Sequence, residues 1–435
     1  MVQIAQTKAK QIEETARAWN RLDDIDPLME RIGDAQYVLL GEASHGTHEY
    51  YQWRAAMSKR LISEKGFSFI AVEGDWPDCY ELNRYIKHYP DAGKSARQVL
   101  HQYKRWPTWM WANAEIAHLA EWMHVYNEKR AKDKRVGFYG LDVYSLWDSM
   151  TAVIDYLDQI DPEAAQKARE AYRCFEPYEG DVSRYAYDTA FAPISCEPEV
   201  LLILQLLRQQ VPTHADDYEE LFNAEQNARV VFNAEHYYHT MIKGDAASWN
   251  IRDHHMVETL SHLMKRHGKD AKAIVWAHNT HVGDARYTDM ARAGMVNIGQ
   301  LIREEQTEDN TVLVGFGSYE GSVIAGKHWD APMEVMKVPP AKDGSWEGLM
   351  HEARPVNKLI LSDEVGEREL FWQVRDHRAI GVVYDPSHEH GNYVPSLLPE
   401  RYDAFVYIDK TTALHPLHLE TGKDTDFPET YPWAV

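Results

Sequence analysis

The segment QYVLLGEASHGTHEYYQWR, residues 36–54, decides how the chain is read. Four apolar residues, Tyr37 to Leu40, stop at Gly41, and Glu42, Ser44, His45, Thr47, His48 and Glu49 follow within eight positions. After them Tyr50, Trp53, Met57 and Leu61 recur at three- and four-residue spacings, which predicts an amphipathic helix over 49–65. A buried strand that opens into an ionisable loop and feeds a helix is how α/β proteins present chemistry at a strand's carboxyl end. Arg54 falls on the apolar stripe. A buried guanidinium is costly unless a carboxylate meets it, so Arg54 is expected either to fold back onto Glu42 or Glu73 or to snorkel at the stripe's edge.

Three further apolar runs end in the same way. FSFIAVEGDWPD (67–78) ends on Glu73 and Asp75, VGFYGLDVYS (136–145) on Asp142, and AIVWAHNTH (273–281) on His278 and His281. Later strand candidates are 312–317, 380–385 and 404–409. Strands alternating with helices predict an α/β fold with a mainly parallel, twisted sheet flanked by helices. Ligands bind outside the carboxyl ends of such strands, so four strand ends carrying acid–base groups point to one shared site. Residues 147–270 hold too much helical pattern for a single crossover. They predict a helical insertion capping the cleft, within one domain whose α/β core is residues 1–146 and 271–435. Ser248 or Asn250 is expected to cap its last helix. Residues 319–360 have weak periodicity and read as a long loop, of the kind that often forms a lid, leading to a short helix.

Composition narrows the function classes. A net charge of −22 argues against nucleic acid and against anionic membrane surfaces. Cys79, Cys174 and Cys196 are too few and too scattered for a disulfide framework or a cysteine zinc site. With no signal-like N-terminus and no apolar run of membrane-spanning length, the chain is expected to be cytoplasmic, to act on a small molecule, and to need no more than a monomer.

The chemistry offered is rich in histidine and carboxylate and poor in nucleophiles. Ser44 does not sit in a G-x-S-x-G elbow, and no cysteine lies in the motifs. Water activation remains: His45 as base, Glu42 or Glu73 orienting it, and His278, His281 or Arg54 steadying the oxyanion. A metal site of His45, Glu73, His278 and His281 is the rival, with enough nitrogen and oxygen ligands for zinc or manganese. The clustered Trp106, Trp109 and Trp111 read as core more readily than as a ligand wall, and His48, His254, His255, His388 and His390 as hydrogen-bonded structural residues.

GEASHGTHEYYQWR, then FIAVEGDWPD, then WAHNTHV, with Asn250–Asp253 (NIRD) at a fitting interval, resemble the erythromycin esterase family over residues 30 to 420. The resemblance implies a hydrolase that opens the lactone ring of macrolide antibiotics with a histidine-activated water and without a cofactor. It implies a sheet core with a helical subdomain forming a deep cleft. Carried over by motif, His45 matches the base, Glu42 and Glu73 the active-site carboxylates, Arg54 the helix arginine, and His278 and His281 the second histidine pair. Asp75, Trp76 and Arg252 are expected to face substrate. The alternatives are a metal-dependent hydrolase of another ester or amide, and a non-catalytic protein that binds haem or another bulky ligand.

Overall fold

In the computed structural model, which describes residues 2–178, 181–191, 195–210, 217–241 and 245–418, the run Tyr37–Leu40 is a strand inside a nine-stranded sheet. In chain order the strands are β1 (Arg17–Ala18), β2 (Tyr37–Leu40), β3 (Phe69–Asp75), β4 (Gly137–Asp142), β5 (Ala273–Trp276), β6 (Thr311–Ala325), β7 (Glu334–Val338) and β8 (Lys358–Leu361). A two-stranded ribbon, β9 (Arg375–Arg378) with β10 (Tyr393–Ser396), stands apart, and β11 (Ala404–Thr411) returns to the main sheet. The sheet order is β1-β8-β11-β6-β2-β5-β3-β4, with β7 hairpinned onto β6. From β11 to β4 every neighbouring pair is parallel, whereas β8, β1 and β7 are antiparallel additions. The fold is therefore α/β with a mixed, mostly parallel sheet.

The near-continuous apolar runs follow from burial of both faces of the sheet. Val38 and Leu40 share one core with Ile70, Val72, Ile274 and Trp276, covered by the helices His48–Lys65 and Ala114–Glu128. Leu39 points to the opposite core with Ala71, Leu141 and Val275, where Met256, Leu260 and Leu263 of the helix Asp245–His267 pack. This is the two-residue alternation of a strand, read on both sides. The helices between Leu146 and Met241 form a third core of their own, around Val153, Leu157, Ala168, Ile203 and Val231.

Several expectations are corrected. Residues 380–385 form no strand; Ile380 and Val383 make only isolated bridges, and Ile380 and Tyr384 pack on the β6–β7 hairpin through Val323, Ala325 and Met336. Residues 319–360 are not a long loop, because β6 runs on to Ala325 and is followed by β7, the helix Trp346–His351 and β8. Neither Ser248 nor Asn250 caps a helix, since the helix begins at Asp245; the Asn250 amide instead bridges Gly294 and Val296. Cys174 and Cys196 are joined in a disulfide with Cα atoms 5.9 Å apart, a pairing their spacing in sequence did not announce. Among the described residues no helix is long and apolar enough to cross a membrane.

Candidate active site

β2, β5, β3 and β4 are consecutive in the sheet, so the four ionisable strand ends lie side by side. The loop after β2 is drawn tight by two glycines. A Cβ at Gly41 would lie 2.2 Å from Asn279 Oδ1, and one at Gly46 would lie 2.0 Å from the Ile324 carbonyl oxygen. No other residue permits that approach. The turn brings His45 back over its own strand end, where Nδ1 meets Glu42 Oε1 at 2.9 Å. Arg54, fully buried, donates from Nη2 to Glu42 Oε2 at 2.5 Å, and its guanidinium sits against the rings of Tyr51 and Trp276 at 4.4 and 4.6 Å. Of the partners expected for Arg54, the structure selects Glu42. The Ser44 hydroxyl bonds to that of Thr47 within the loop.

Opposite this relay lies a denser charge cluster. Arg252 reaches Asp142 with both Nε and Nη2, at 2.9 and 2.6 Å, and Nη2 also donates to Glu73 Oε1 at 2.7 Å. Its guanidinium stacks over Tyr144 at 4.8 Å. His281 presents Nδ1 to both oxygens of Asp253, at 2.9 and 3.0 Å, while Nε2 lies 2.9 Å from Arg252 Nη1 and 3.3 Å from Glu73 Oε1. A neutral ring accepts from Arg252; a protonated one donates to Glu73. Burial opposes the ring's charge, but Asp253 and then Glu73 outweigh it and raise His281 to about 9. Burial likewise penalises the Glu73 carboxylate, yet His281, Arg252 and His45 together hold it well below its ordinary range.

His278 behaves in the opposite sense. Burial, reinforced by nearby His45, depresses its basicity well below that of a free imidazole, so the ring is neutral. Its Nδ1 accepts from the Thr280 amide at 3.3 Å and lies 2.8 Å from the Thr280 hydroxyl, which assigns the proton to Nε2. That Nε2 is buried with no protein partner within hydrogen-bonding geometry. The rings of His278 and His45 are 4.9 Å apart. The His278 backbone amide donates to Glu73 Oε2 at 2.8 Å, tying β5 to β3.

His45, Glu73, Asp142, Arg252, His278 and His281 line a cavity of about 380 Å³, within the range of drug-sized ligand sites. Trp106, Trp111, Trp249, Trp329, Tyr103 and Tyr144 supply aromatic walls. Asp75, held by both nitrogens of an Arg105 fork, and Asp78 make one side acidic. Burial, then the neighbouring carboxylates of Asp75 and Asp148, push Asp78 up to about 7. From 147–270 only Trp249 and Arg252 line the cavity among the described residues, and from 319–360 only Trp329; the walls come instead from 103–111, Tyr144 and 379–394.

The structure brings His45, Glu42, Glu73, Arg54, His278, His281, Asp75 and Arg252 to this edge. Trp76 is not there. It opens the helix Trp76–Ile86 facing away, stacked on Tyr80 and Tyr139 with its indole nitrogen on Asn223. Arg252 is a member of the charge cluster as well as of the cavity wall. Arg105 was missed, and Asp253, noted only as part of the Asn250–Asp253 motif, was not anticipated as the partner of His281, because nothing in the sequence places either side chain against a strand end. Of the tryptophan cluster, Trp109 is core while Trp106 and Trp111 line the cavity. His254 is exposed, His255 pairs with Asn233, His388 with Asp385 and His48 with Glu115, none of them at the cavity. In the rival metal set of His45, Glu73, His278 and His281, Arg252 bonds to both Glu73 and His281 and both His281 nitrogens are engaged.

The erythromycin esterase family matches residues 62–411. An erythromycin esterase type II from Escherichia coli is 24% identical over 325 residues, covering 70% of this chain and 74% of that one. Among solved structures, a succinoglycan biosynthesis protein superposes with a TM-score of 0.77 at 23% identity, covering 95% of this chain and 99% of its own. A Bacillus cereus protein gives 0.76 at 22% identity, with the same coverage. An erythromycin esterase mutant in its open conformation gives 0.65 at 16% identity, covering 91% and 97%. The family match starts downstream of the His45 loop, so the reading of that loop rests on its own geometry.

Proposed function

The chain belongs to the erythromycin esterase family, and on that premise we propose that it is a hydrolase opening the lactone ester of a macrolide with a water activated by His45. One observation carries the reading: His45, backed by the buried Glu42 and Arg54, lines the same cavity as Arg252 and His281. Glu42 accepts a hydrogen bond from the Nδ1–H of His45 and so fixes its tautomer, which leaves Nε2 to accept a proton from water. The water oxygen adds to the ester carbonyl carbon and the carbonyl becomes an oxyanion. The positive charges on Arg252 and His281 stabilise that oxyanion beside the neutral His278 ring. On collapse, the acyl carbon–ring oxygen bond breaks and the alkoxide takes the proton held on His45. The product is a hydroxy acid one water heavier than the lactone.

The reading needs no metal and a small-molecule substrate only, with neither nucleic acid nor membrane as partner. The aromatic walls suit a bulky, partly apolar ligand, and the acidic side suits one that carries an amine. Mass spectrometry of macrolides of two ring sizes, incubated with chelator-treated protein beside a His45→Ala control, tests it. A gain of one water with the wild type alone is expected. Unchanged macrolides, or equal turnover by the variant, would overturn it.

A further inference from the structure

A second histidine–carboxylate cluster lies outside the cleft. His48 begins the helix His48–Lys65, Glu115 lies in the first turn of the helix Ala114–Glu128, and His415 sits on the segment that follows β11. The Nδ1 atoms of both histidines converge on one oxygen, Glu115 Oε1, at 2.6 and 2.7 Å. The other oxygen, Oε2, is buried and has no partner. The two rings meet edge to face with centroids 5.1 Å apart. One ligand atom from each residue falls within 4.8 Å of the others, and among the described residues this is the set of three that meets that condition.

We propose that His48, Glu115 and His415 bind a divalent transition-metal ion that clasps the segment after β11 onto the histidine loop. Two imidazole nitrogens and a carboxylate suit a borderline ion such as zinc better than magnesium or calcium, which take oxygen shells. Tetrahedral metal–ligand distances of about 2.0–2.2 Å set ligand atoms roughly 3.4 Å apart, so each histidine nitrogen must move roughly 0.7 Å from the carboxylate oxygen. The idle Oε2 is available as a ligand, and His415, with 45% of its side chain exposed, gives an ion a route in from solvent. The segment it would clasp already holds the loop: Leu414 N donates to Gly46 O at 3.0 Å, His48 N to Thr412 O at 2.9 Å, and Ala114 N to His415 O at 2.9 Å. The ion would brace the turn that carries His45 without entering the cleft.

The test uses the full chain, stripped with chelator and titrated with zinc chloride by calorimetry and thermal melting, beside Glu115→Gln and His415→Ala. One zinc per chain and a raised Tm are expected for the wild type. Each variant, checked for an unchanged metal-free fold, should bind more weakly by at least the roughly 10–100-fold that losing even an outer ligand partner costs. No saturable binding at micromolar zinc would overturn the proposal, as would zinc retained by both variants but lost in His278→Ala. Should a variant fail to fold, X-ray absorption of the wild-type zinc complex decides. Two imidazoles plus oxygen supports the clasp, while three imidazoles or an all-oxygen shell overturns it.

Discussion

Arg54 and Glu42 allow stability and catalysis to be separated by a double-mutant cycle. Both side chains are fully buried, and their contact at 2.5 Å is, among the described residues, the one hydrogen bond that Arg54 makes with a carboxylate. Arg54→Met leaves the Glu42 carboxylate buried beside His45 alone. Glu42→Gln leaves a buried guanidinium whose Nε and Nη1 already lack partners. Breaking a buried pair from one side costs about 3–5 kcal/mol, because an uncompensated charge remains. Removing both charges takes away that penalty, and methionine keeps apolar contact with Tyr51 and Trp276. The double variant should therefore lie within about 2 kcal/mol of wild type, with a coupling energy of several kcal/mol in urea titrations. Turnover should not recover with stability. His45 has lost the carboxylate that fixes its tautomer, and kcat should stay down by about 10²–10⁴-fold in Glu42→Gln and in the double variant alike. Additive stability costs would refute the reasoning about the pair. Near-normal turnover in the stable double variant would refute the role of Glu42.

Four other outcomes are expected. Because His281 is raised from 6.5 to about 9, it contributes stability that is fully present below pH 6.5 and lost as pH rises through 9; denaturant titrations should show the gap between wild type and His281→Asn closing across that window, and a pH-independent gap would contradict it. Asp78 ionises near pH 7, so KM for an amine-bearing substrate should fall as pH rises through 7, and Asp78→Asn should flatten that dependence. Alkylation of unfolded, unreduced protein should label Cys79 alone, and labelling at Cys174 or Cys196 would deny the disulfide. Gly46→Ala sets a methyl 2.0 Å from the Ile324 carbonyl oxygen, and should cost about 1–3 kcal/mol along with most of the turnover, read by melting and product formation.

How far the site could be read from the chain depends on where each charge sits relative to its strand. Glu42, Glu73, Asp142 and His278 each follow a short apolar run directly, so period and polarity alone place them at strand ends, and the parallel rule gathers those ends on one edge. Arg54 was legible for a different reason: a guanidinium on an apolar stripe needs a counter-charge, and Glu42 was near in sequence. The helix Asp245–His267 offers no such cue of period or polarity. Arg252 was expected at the site only through the resemblance carried by Asn250–Asp253, and it is the packing of that helix across β4 that buries Asp253 and brings Arg252 to a carboxylate 110 residues earlier in the chain. Trp76 failed by the converse route. It was expected to face substrate, but the first turn of a helix points its side chain wherever the helix packs, here onto Tyr80 and Tyr139. The β6–β7 hairpin was hidden because an edge hairpin half open to solvent lacks the continuous apolar run that marks a central strand. The pattern has a mechanistic consequence. Glu73, Asp75 and Asp142 come from strands, whereas Arg54 and Arg252 come from helices, so in the proposed mechanism a shift of the helix Asp245–His267 would withdraw the charge of Arg252 from the oxyanion while leaving His45 in place.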